Sequence, residues 1–86
     1  MNNYFRYKCK SNWITVRKED DDYYVVNPHY IQLIKLDAVQ AAILYSINME
    51  KKTVEDIRKI FANHGINDKY IDLFVKKAEK VGIMEM

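Results

Sequence analysis

The 86-residue sequence predicts an α+β domain, a three-stranded antiparallel sheet followed by three helices. Residues 13–36 hold short runs rich in β-branched and aromatic residues, separated by turn signals. From residue 38 to 81 the apolar positions change to helical spacing. Each helical run opens on a capping residue, Asp37, Thr53 or Asn67.

The first strand is expected over 13–18, where Trp13, Thr15 and Arg17 alternate with Ile14, Val16 and Lys18. The acids Glu19 to Asp22 mark a turn. A second strand follows over 22–27 in "YYVVN". Asn27, Pro28 and His29 turn the chain again, and the third strand covers 30–36. Short connections make the sheet an antiparallel meander. Residues 1–12 form an N-terminal segment expected to be partly ordered, its Tyr4, Phe5 and Tyr7 either packing on the sheet or fraying.

Asp37 with Gln40 makes a capping box for a helix over 38–49, whose apolar positions are Val39, Ala42, Ile43, Ser46 and Ile47, with Ser46 a weak spot. Thr53 with Asp56 makes a second box and opens a helix over 54–64 with Val54, Ile57, Ile60 and Phe61 inward. Gly65 suits a left-handed end to that helix. The last helix spans 68–81, with Ile71, Phe74, Val75, Ala78 and Val81 as its core stripe and Gly82 as its stop, after which Ile83 folds back onto the core. Beside that stripe runs a second row, Tyr70, Leu73 and Lys77, so the apolar surface is wider than a small two-layer domain needs.

Composition bounds the function. The chain is 49% hydrophobic and 30% charged, with two Gly and one Pro, an ordinary single globular domain without flexible linkers (residues 13–86). A net charge of +2 argues neither for nucleic acid nor for an anionic membrane. No apolar run approaches the ~20 residues that cross a bilayer, and the opening residues lack a signal-peptide core, so a cytoplasmic location with no membrane partner is expected.

The catalytic inventory is thin. Cys9, His29 and His64 have no metal-ligand spacing. Cys9 reads as a small hydrophobe or an incidental thiol, His29 as a turn residue and His64 as a helix-end residue. The acids from Asp20 to Asp22 lack the Gly and terminal Glu of a calcium loop, and no Gly-rich phosphate loop exists. A self-sufficient enzyme is not expected, and neither is a cofactor or metal.

The second and third helices, with strands beside them, have the outline of a winged helix-turn-helix. That outline suggests DNA binding through the last helix. The residue types oppose it: Asp68 and Asp72 occupy the first turns, and no Arg, Asn or Gln inside the helix reads bases. Phosphate contacts by Lys51, Lys52, Arg58 and Lys59 remain as an alternative. A structural or dimerisation module is a third reading.

The third strand is unusual. Tyr30, Gln32, Ile34 and Leu36 lie on one face and Ile31, Leu33 and Lys35 on the other, so both faces are largely apolar. As the last strand it has an open edge blunted only by Lys35. Two explanations stand side by side. An extended peptide adds to the edge, with the wide stripe of the last helix as the groove wall. Or the second face is covered by the N-terminal aromatics or by a second copy.

Over residues 14–84 the sequence resembles the PqqD-like family, the small protein D of pyrroloquinoline quinone biosynthesis, and its relatives, the precursor-peptide recognition elements of ribosomal peptide modification. The pieces that carry the resemblance are "YYVVNP", "IKLDAVQAAIL", "TVEDIRKIF" and "IDLFVKKAEKVGIME". The sequence departs from the family at Met49, where a Gly commonly ends the first helix, and at Ser46 and Glu79, where apolar residues are usual. The resemblance implies a non-catalytic module that binds the leader of a precursor peptide as an added strand. The groove it implies is Tyr30, Ile31, Gln32, Leu33, Ile34 and Lys35 on the strand, with Tyr70, Leu73, Phe74 and Lys77 on the last helix. Ile31 and Leu33 would floor apolar pockets, and Tyr70 and Leu73 would wall them. Phe74 is also a natural core residue. The implied partners are the leader peptide and a modifying enzyme, often a radical S-adenosylmethionine enzyme, in trans or fused; no nucleic acid is implied.

Overall fold

The computed structural model describes residues 4–27 and 32–85. The chain is α+β, but its sheet has four strands rather than three. The strands are β1 (Tyr4–Cys9), β2 (Asn12–Glu19), β3 (Asp22–Asn27) and β4 (Gln32–Leu36). They pair antiparallel in chain order, so β1 and β4 are the edges. The helices α1 (Ala38–Asn48), α2 (Val54–Ala62) and α3 (Asp68–Lys80) follow. The expected strands and helices thus stand close to their expected places. The turn expected at Pro28 and His29 lies outside the described residues.

The additional strand comes from the N-terminal segment. Phe5, Tyr7 and Cys9 point inward, and Tyr7 and Cys9 are buried. The hairpin to β2 closes through Lys10 and Ser11, both at positive φ (48° and 71°), the geometry of a two-residue turn that matches strand twist. Phe5 meets the Tyr45 ring edge-on at 5.2 Å, which holds β1 against α1. The buried Tyr7 hydroxyl donates to the Ile83 carbonyl, joining the first strand to the tail behind α3.

All three helices cover one face of the sheet. Register aligns Val16, Val25 and Ile34 across three strands on that face, with Ile14, Tyr23 and Leu36 beside them. Ile43, Leu44, Ile57, Ile71 and Met84 complete the core with no more than a trace of exposure. Both expected capping boxes form, Asp37 with Gln40 and Thr53 with Asp56, and Asn67 accepts from the Tyr70 N–H at 2.8 Å. Gly65 (φ 78°) and Gly82 (φ 80°) turn the chain after α2 and α3, and Ile83 folds back onto the core.

Two helical stripes differ from expectation. In α1 the buried residues are Ala41, Ile43 and Leu44, while Ala42 faces solvent and Ser46 and Ile47 are half-buried. The helix is apolar nearly all round, so its period marks the inward face poorly. In α2 Ile60 is 38% exposed, because Ile57 and Phe61 are the residues this helix buries in the core, with Val54 partly buried beside them. The core stripe of α3 stands as expected, with Val81 half-buried at its end.

Candidate peptide-binding groove

β4 is an edge strand, so its backbone has hydrogen-bonding groups facing away from β3. Tyr70 fixes α3 beside this edge. Its hydroxyl donates to Asp37 Oδ2 at 2.9 Å, while Asp37 Oδ1 accepts from the Gln40 N–H at 2.8 Å. One carboxylate therefore caps α1 and moors α3 just past the end of β4. Further along α3, Phe74, Lys77 and Val81 line a cleft of about 50 Å³ with Ile34, Lys35 and Leu36.

The flank of α3 is open. Leu73, Lys76, Lys77, Glu79 and Lys80 line a shallow depression of about 750 Å³, and Lys77 belongs to both hollows. Leu73 is 59% exposed. Among the described residues Lys76, Lys77 and Lys80 make no ion pair, whereas Lys35 pairs with Asp22 at 3.4 Å. The rim of the groove is therefore positive.

The structure brings Ile34, Lys35, Phe74 and Lys77 together around one cleft, whereas Tyr70 lines a separate hollow with Val39, Gly65, Ile66 and Asn67, and Leu73 lies in the open depression on the flank of α3. Phe74 is buried and serves the core as well as the cleft wall. Leu33 is different. It lies on the sheet face opposite the helices and is 67% exposed, because strict alternation puts Ile34 and Leu36 inward. It therefore does not share a pocket with Tyr70 and Leu73. Tyr30 and Ile31 lie outside the described residues, and Gln32 belongs to β4 by its pairing with Asn27. Asp37, Leu36 and Val81 shape the groove without having been expected there. Asp37 was recognisable as a cap, but nothing local announces that its second oxygen holds a tyrosine 33 positions away.

Tyrosine ionisation follows from this placement. Burial, then the hydrogen bond to Asp37 and its charge, push Tyr70 up to about 12. Burial raises the Cys9 thiol, with Glu85 adding to it, so this cysteine is held in its unreactive form. Among the described residues no group of His, Cys, Asp or Glu could hold a metal ion, and no helix is long and apolar enough to cross a membrane. Arg58 is engaged, donating through Nη2 to Asp72 at 2.7 Å.

Compared with protein-family models, curated proteins and solved structures, the chain matches none.

Proposed function

We propose that this domain binds an extended peptide as an added strand on β4 and presents it to a second protein. The peptide would be the leader of a ribosomally made precursor, and the second protein its modifying enzyme. The observation that carries the reading is the open edge of β4 beside a cleft walled by α3. Main-chain hydrogen bonds to the edge supply affinity, and the cleft supplies side-chain selectivity. Lysines on the rim favour an acidic segment and speed encounter. The other sheet edge, β1, carries Arg6 and Lys8 outward, so charge blunts it.

In this reading the domain is a winged helix-turn-helix-like, PqqD-like recognition element acting in the cytoplasm. It performs no chemistry and needs no cofactor. Binding the leader raises the local concentration of the attached core peptide at the enzyme, into the millimolar range for short linkers. A DNA-binding reading is weaker, because Arg58, one of its phosphate candidates, is already held by Asp72.

The test is a fluorescence titration with candidate leader peptides, taken from any short reading frames that neighbour the gene. Micromolar binding is expected, weakened about tenfold or more by Leu73→Asp or Lys77→Glu with circular dichroism unchanged. No leader affinity, together with salt-sensitive DNA binding, would sink the proposal.

A further inference from the structure

The helices leave the other face of the sheet bare, and that face is neither polar nor neutral. Trp13 (51% exposed), Val26 (42%) and Leu33 (67%) stand on it, with Val26 and Leu33 directly paired. Its charges are uneven. Arg17 pairs with Glu19 at 3.6 Å and Lys35 with Asp22 at 3.4 Å, so one end is balanced. At the other end the Arg6 guanidinium lies over the Trp13 ring at 4.9 Å, and Lys8 is Trp13's cross-strand neighbour. Among the described residues neither Arg6 nor Lys8 meets an acid.

We infer that this bare face is a docking surface for a folded protein whose contact patch is apolar where it meets Val26 and Leu33 and acidic where it meets Arg6 and Lys8. Exposed Trp and Arg beside an aliphatic patch are residue types that carry protein–protein contacts. A nucleic acid fits less well, because Arg6 lies over the Trp13 ring on which a base would stack, and Val26 and Leu33 offer no phosphate contact. A second copy of the chain fits less well too, because it would bring its own unbalanced positive charge from Arg6 and Lys8.

The inference rests on the leader-binding reading for the identity of the partner, the modifying enzyme. It also adds a mechanism. A strand added to β4 places every second side chain on the bare face, next to Leu33 and Lys35. The bound peptide thus extends the Val26–Leu33 patch, and the docking surface is complete only when the leader is in place. The enzyme would then distinguish loaded from empty domain, and by linkage enzyme and leader would each tighten the other's binding.

The experiment uses the whole chain carrying Trp13→Asp or Lys8→Glu, the neighbouring leader peptide and the modifying enzyme that converts its precursor. The expected result is unchanged leader affinity without enzyme, a fall of about tenfold or more in kcat/KM for the leader-bearing precursor, and loss of the tightening of leader by enzyme. Unchanged conversion in both variants overturns the inference and leaves the leader-binding reading intact. A dimer of the unsubstituted chain that Trp13→Asp dissociates, or quenching of Trp13 by an oligothymidylate, overturns it in favour of another occupant. Absence of leader binding by the unsubstituted chain overturns both proposals together.

Discussion

The Tyr70 hydroxyl and the Asp37 carboxylate, 2.9 Å apart, tie the start of α3 to the end of β4. The placement of Tyr70 has a pH signature. Burial, and then the bond to Asp37, hold the Tyr70 proton to about 12 in the folded chain, whereas an unfolded tyrosine releases it near 10. The contribution to stability is complete below pH ~10 and is lost as the pH climbs toward ~12. Tyr70→Phe should therefore lose less stability across that window than the parent chain, measured by urea unfolding at pH 9 and pH 11.

The buried Tyr7 hydroxyl donates to the Ile83 carbonyl. Tyr7→Phe removes the donor and leaves a carbonyl in the core without its partner, which costs about 1–3 kcal/mol. Chemical denaturation at neutral pH reads this directly. No loss of stability would mean that β1 does not pack as described.

Leu33 and Leu36 are three positions apart on one strand and lie on opposite faces, one 67% and the other 4% exposed. Leu33→Asp should leave the circular dichroism spectrum and cooperative unfolding intact. Leu36→Asp buries a carboxylate in the core and should prevent folding at neutral pH. If both variants fold equally well, the register of β4 is wrong.

Ile57 and Ile60 make the same comparison on α2. Ile57 has no exposed surface, and truncation to Ala should cost about 2–5 kcal/mol. Ile60, 38% exposed, should cost distinctly less when truncated in the same way, with both read from denaturant midpoints.

Much of this fold was legible because its local signals agree. Asp37 with Gln40 and Thr53 with Asp56 are reciprocal caps written within four residues, and the α3 stripe keeps strict period. The first strand was harder to see, although Phe5, Tyr7 and Cys9 alternate with Arg6 and Lys8. Its turn uses Lys10 and Ser11 at positive φ, where glycine or asparagine usually marks a hairpin. For the groove, apolar excess on two elements suggested only that the strand and the last helix form its two sides, and the family resemblance implied Ile34, Lys35, Phe74 and Lys77, which line one cleft. The facing of Leu33 was not, because alternation fixes which residues share a face but not which face meets the helices. The Asp37–Tyr70 tie depends on tertiary placement and has no sequence signature.

The bond between Tyr7 and the Ile83 carbonyl brings the first strand beside the segment that follows the last helix. The first and last elements of the fold are therefore spatial neighbours. Linking the chain before β1 to the chain after Ile83 and reopening the backbone between Lys51 and Lys52, both in the connection between α1 and α2, would preserve every strand pairing and helix described above. A permuted chain of that kind would begin and end on the helical layer, away from the bare sheet face.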